Sequence, residues 1–76
     1  MTERIIIDKK ILAGKPVIRG TRISVEFILE LMASGMTVAD ILKEYSQLTR
    51  EDVLAALAYA SNVLRNEEIY AFAQLA

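Results

Sequence analysis

The stretch KPVIRGTRISVE at residues 15–26 constrains the fold more than any other part of the chain. Pro16 pushes Lys15 towards extended backbone, and the β-branched Val17, Ile18 and Ile23 favour strands. Between them lies Gly20-Thr21. A glycine followed by a polar residue suits a two-residue type II′ hairpin turn, whose first central position needs φ > 0. That register sets Ile18 opposite Ile23 and Arg19 opposite Arg22. Ser24 is then a suitable helix N-cap, and Glu26 in the first turn complements the helix dipole.

Like charges directly opposite each other destabilise a hairpin by an amount on the order of 0.2–1 kcal/mol. Arg19 and Arg22 become useful there if an anion sits between or above them. Arginine suits bidentate contact with phosphate or carboxylate, and a two-stranded ribbon can itself enter a DNA groove. The candidate anion- or nucleic-acid-binding set is therefore Lys15, Arg19, Gly20, Thr21 and Arg22, with Lys9 and Lys10 nearby in sequence. The alternative is that each arginine pairs with a carboxylate of its own fold, such as Glu26 or Glu30. The charge balance fits either reading. The net charge is −1, yet residues 1–22 carry +4 and residues 23–76 carry −5. A basic arm on an acidic body suggests two different partners, the alternative being a solvated surface whose charges happen to segregate.

The next helix is predicted over residues 25–34, with Gly35 as its C′ residue. Glu26, Glu30 and Ser34 form one narrow polar stripe, and apolar residues cover nearly everything else. A helix of that kind is buried on most sides. Seventy-six residues make one domain, close to the size where a single core only just suffices, and 54% of them are hydrophobic. The simplest cover for the surplus is a second copy. Its interface is expected at Phe27, Leu29 and Met32, with Ile5 and Ile7 from an N-terminal strand over residues 4–7. An isolated hairpin is marginal in water, so that strand should pair with another, one in the second subunit included. Ala13-Gly14 is a turn signal.

Thr37 and Asp40 form a capping-box variant that opens a second helix with an apolar side of Val38, Ile41, Leu42 and Tyr45. After a connection at residues 46–48, Thr49 and Asp52 repeat the signal. The third helix is built on Val53, Leu54, Leu57, Ala60 and Leu64, and Asn66 ends or bends it. The fold class is thus mostly α (α+β): a short N-terminal β-element or hairpin followed by a three-helix, helix-turn-helix-like bundle. A single domain spans residues 1–76, divided into a basic β-element (1–23), a helical bundle (24–65) and a tail (66–76). Thr49 and Arg50 are the positions a recognition helix would turn to DNA. Glu51 and Asp52 beside them meet phosphate unfavourably, which favours a purely structural helix pair. In the tail, Ile69, Tyr70 and Phe72, with Leu75, form an amphipathic docking segment for a partner or pack on the chain's own core.

The chain has no cysteine and no histidine. Disulfides, thiolate sites and the commonest general base and metal ligand are therefore missing. Its carboxylates fall on outward helical stripes or at helix starts. The expectation is a protein without enzymatic activity, metal or cofactor. No signal-peptide pattern opens the chain, and the longest apolar run, residues 53–60, is too short to span a bilayer. A cytoplasmic location without membrane contact follows.

The residues GKPVIRGTRISVE (14–26), Ile28-Leu29, Gly35-Met36-Thr37, Ile41-Leu42, Tyr45 and LTREDVLAALAYA (48–60) together give the chain a family resemblance. It resembles domain-of-unknown-function family four hundred and thirty-three, short bacterial and archaeal proteins often described as VapB-like antitoxins. The resemblance covers about four fifths of the chain. It implies a small β-element with a helix-turn-helix-like bundle, association as homodimers, and a role beside a PIN-like ribonuclease toxin. Antitoxins of this kind block the toxin's acidic, metal-binding site and, in complex, repress their own operon, which makes operator DNA a further partner. Ile69, Tyr70 and Phe72 are then the expected toxin-docking residues. A DNA-binding regulator without a toxin and a structural oligomerisation module are the alternatives.

Overall fold

A computed structural model describes residues 3–75, with side chains through residue 66. Two short strands, β1 (Ile5–Ile6) and β2 (Val17–Ile18), pair antiparallel, with Ile5 opposite Ile18 and Ile6 opposite Val17. The N-terminal strand thus finds a partner in its own chain. Three helices follow: α1 (Val25–Ala33), α2 (Val38–Glu44) and α3 (Arg50–Leu75). The fold is mostly helical with one small sheet.

What returns the chain from β1 to β2 is a left-handed turn at Leu12–Gly14. Leu12, Ala13 and Gly14 have φ of 48°, 56° and 85°, and the amides of Gly14 and Lys15 donate to the carbonyls of Ile11 and Leu12. Ala13-Gly14 is a turn as expected, but two residues with a Cβ share the left-handed region with the glycine. Each such residue costs roughly 1–2 kcal/mol. Ala13→Gly removes that cost and gives back part of it as unfolded-chain entropy, so a net gain of about 0.5–1 kcal/mol is expected. Thermal unfolding should register it as a rise of about 4 °C in Tm. A fall in Tm would contradict the left-handed assignment.

The type II′ turn expected at Gly20-Thr21 does not form. The Thr21 amide donates to the Ile18 carbonyl at 3.0 Å, which makes Gly20, with φ of 80°, the third residue of an Ile18–Thr21 turn. A type II turn also demands φ > 0, but at that third position. The Thr21 hydroxyl then donates to the Ile18 carbonyl (2.8 Å) and accepts from the Ile23 amide (3.0 Å). A four-residue loop results. The expected register survives around it: Val17 bridges Ser24, and the Ile18 amide donates to the Ile23 carbonyl at 2.9 Å.

The helix caps follow the sequence closely. The Ser24 hydroxyl accepts from the Phe27 amide. At the other end of α1, the amides of Gly35 and Met36 donate to the carbonyls of Met32 and Leu31, a Schellman ending around a left-handed glycine. Thr37 and Asp40 form a reciprocal capping box at α2, and so do Thr49 and Asp52 at α3. The Thr37 backbone amide, and after it the Thr37 hydroxyl, hold the Asp40 carboxyl below its ordinary value.

Ile18, Ile28, Ile41 and Val53 are fully buried and bring sheet and helices to one core. The buried face of α3 is Asp52, Val53, Ala55 and Ala56, so the expected face is rotated: Leu54 and Leu64 are 45% and 60% exposed. Nor does Asn66 end the helix, since α3 continues through it to Leu75. Asparagine is only modestly worse than alanine inside a helix, by less than about 0.7 kcal/mol.

Candidate functional site

The β-element concentrates the basic residues, but the structure gives each a different state. Lys15 Nζ lies 3.0 Å from Glu26 Oε1, with both side chains more than half exposed. Such pairs are worth about 0–1 kcal/mol, so Lys15 is readily released to a stronger anion. Arg19 does not face Arg22 across a ladder. Its amide donates to the Arg4 carbonyl (2.7 Å) and its Nε to the Glu3 carbonyl (2.6 Å), which ties it to the N-terminal strand. Arg22 is exposed and makes no hydrogen bond or ion pair among the described residues. Gly20 and Thr21 shape the loop that carries it. Any substitution at Gly20 is strained by its φ, although the space around it is open.

A residue the sequence did not single out completes this end of the molecule. Arg4 Nη1 donates to Asp52 Oδ1 at 3.0 Å, while Asp52 Oδ2 accepts from the Thr49 amide at 2.9 Å. Asp52 is 7% exposed. Its carboxylate therefore serves both as half of the α3 capping box and as the counter-charge of Arg4. A shallow cleft of about 360 Å³ lies among Glu3, Arg4, Arg19 and Asp52. No sequence signal reports a pair 48 residues apart.

Thr49 is committed to the α3 cap, whereas Arg50 is exposed at the first turn beside the exposed Glu51. The expected interface residues separate. Ile5 is half-buried in the sheet, Ile7 is 62% exposed, and Phe27 stacks edge-on against Tyr45 at 5.5 Å. Leu29 and Met32 are half-buried against the core. The side chains of Ile69, Tyr70 and Phe72 lie outside the described residues.

The profile of the family described as protein of unknown function DUF433 matches residues 5–60. The chain belongs to the DUF433 family. A solved structure of a DUF433 member protein from Anabaena variabilis is similar to it, with a TM-score of 0.79 and 28% identity over 91% of this chain and 68% of that one. No curated protein shows significant similarity to the chain. Among the described residues of this DUF433 protein, no three His, Cys, Asp or Glu side chains cluster to hold a metal ion. No helix there is long and apolar enough to cross a membrane.

Proposed function

We propose that this DUF433 protein is a non-catalytic, cytoplasmic antitoxin that binds a PIN-like ribonuclease toxin as a homodimer, with operator DNA as a second ligand. Arg22 carries the reading. It stands exposed on a hydrogen-bonded loop without a partner in the described chain, while its neighbours Lys15 and Arg19 are engaged. A guanidinium held in this way fits a carboxylate cluster such as the metal-binding centre of a PIN-like nuclease, where it makes bidentate contact. Lys9, Lys10 and Lys15 precede it in the sequence and add positive charge to the same basic arm.

Internal pairing accounts for Lys15 and Arg19, which favours the structural module for those two residues but not for Arg22. Regulation through the helix-turn-helix gains less support, because Glu51 stands beside Arg50 where phosphate would approach. The test is co-expression with a PIN-like ribonuclease, sought first in the reading frames next to the gene for this chain. A complex that survives purification with wild type and is lost with Arg22→Glu supports the antitoxin. Absence of any complex, with duplex DNA binding that weakens steeply with salt, moves the function to the regulator.

A further inference from the structure

The connection from β1 to β2 carries a backbone strain that burial does not offset. Leu12 and Ala13 stand in succession at φ of 48° and 56°, a region that residues with a Cβ normally avoid. No residue from Leu12 to Gly14 is buried. Local hydrogen bonds hold the turn instead. The Lys10 amide donates to Asp8 Oδ1 and the Ile11 amide to the Asp8 carbonyl, each at 2.9 Å. The amides of Gly14 and Lys15 donate to the carbonyls of Ile11 and Leu12 at 3.1 and 3.2 Å. Backbone strain that persists in this way collects at sites that bind a ligand or a partner.

The turn displays apolar and basic groups together. Ile7 is 62% exposed and Leu12 38%. Lys9 and Lys10 stand exposed between them, and neither ammonium group has an ion pair or hydrogen bond among the described residues. With Asp8 and Lys15 included, residues 7–15 carry +2 in a chain whose net charge is −1. We infer that this turn is a docking element for an acidic protein surface with an apolar recess, which takes Leu12 while its carboxylates meet Lys9 and Lys10. The partner is the PIN-like ribonuclease of the proposed function. The inference rests on that reading and gives it a second point of contact besides Arg22.

Charge and rigidity favour a protein over a membrane or a duplex. Residues 23–76 carry −5, and the continuous negative charge of an anionic bilayer or of DNA repels them. A protein can confine its carboxylates to the contact. A turn already fixed by its own hydrogen bonds also gains most from a partner of fixed shape, because little ordering is left for binding to impose. The reach is short. β1 and β2 are two residues long, so this turn and the loop of Arg22 lie at opposite ends of the sheet, roughly 10 Å of strand apart. One standard interface, about 800 Å² on each partner, covers both.

Titration calorimetry of the full chain against a PIN-like ribonuclease tests the inference, with thermal unfolding of each variant alongside. Asparagine tolerates the left-handed region better than leucine does. Leu12→Asn should therefore leave Tm unchanged or raise it, while weakening the complex by roughly tenfold or more, the worth of one apolar side chain withdrawn from a contact. A side chain that serves only the fold would not move the two readouts in opposite directions. Lys9→Glu/Lys10→Glu should weaken the complex as well, and the salt dependence of binding should fall with it. A complex that is lost with Arg22→Glu yet indifferent to both turn variants would overturn the inference and leave the antitoxin reading standing. No complex with wild type would overturn both. A lower Tm for Leu12→Asn would assign Leu12 to the fold and overturn the inference. Sedimentation of wild type with phosphatidylglycerol vesicles, lost with Leu12→Asn, would overturn it in favour of a lipid surface.

Discussion

Ile28→Ala is expected to lower the unfolding free energy by about 3–4 kcal/mol. Ile28 is 0% exposed at the middle of α1 and belongs to the cluster with Ile18, Ile41 and Val53. Removing three carbons there loses the transfer free energy of the buried groups and leaves a cavity. Ile18 and Ile41 cannot fill it without leaving their own contacts. A domain of this size has a total stability of roughly 4–11 kcal/mol, so about a third or more is lost. Urea unfolding at a fixed chain concentration checks this, with a lower midpoint and an unchanged slope. A loss under about 1 kcal/mol would mean that α1 does not pack on the sheet and α3 as described.

Asp52→Ala is expected to cost about 2–3 kcal/mol although it removes no large apolar surface. The carboxylate accepts from the Thr49 amide and from Arg4, and it does so while buried. Its loss unties the start of α3 and the N-terminal strand together. Arg4 is 46% exposed and can regain water, so the cap accounts for most of the effect and the ion pair for the smaller share. Asp52→Asn separates the two contributions. It keeps an acceptor for the Thr49 amide and gives up the charge, so it should retain more than half of the lost stability. Equal losses for Asn and Ala would instead place the weight on the ion pair.

Local chemistry was legible in the sequence, and contacts across the chain were not. Ser24, Gly35, Thr37 with Asp40 and Thr49 with Asp52 act over two to four residues, and each cap forms where its spacing puts it. The register of Ile18 and Ile23 was legible for the same reason. The turn type was not, because a glycine serves a type II turn and a type II′ turn alike. What decides it is the Thr21 hydroxyl, which occupies the ladder position of a backbone group. Leu12 and Ala13 carry no mark of a left-handed conformation, which residues with a Cβ normally avoid. The Arg4–Asp52 pair depends on β1 lying beside the start of α3, a tertiary fact. On α3, choosing the bulkiest residues selects Leu54 and Leu64. The fold instead turns inward the small Ala55 and Ala56, which allow α3 to approach the core closely.

Of the candidate binding set, Arg22 is the residue on which the proposed function rests. Its charge was visible in the sequence, while its lack of a partner among the described residues is a property of the fold. For the proposed antitoxin role the most direct measurement is inhibition of RNA cleavage by a PIN-like ribonuclease, titrated with wild type and with Arg22→Glu of equal mass and equal helical content. Wild type is predicted to abolish cleavage at near-equal molar ratio, and Arg22→Glu to need roughly a hundredfold more, the expected loss when one member of a buried charge contact is reversed. Equal inhibition by both proteins, or undiminished cleavage with wild type, would contradict the account.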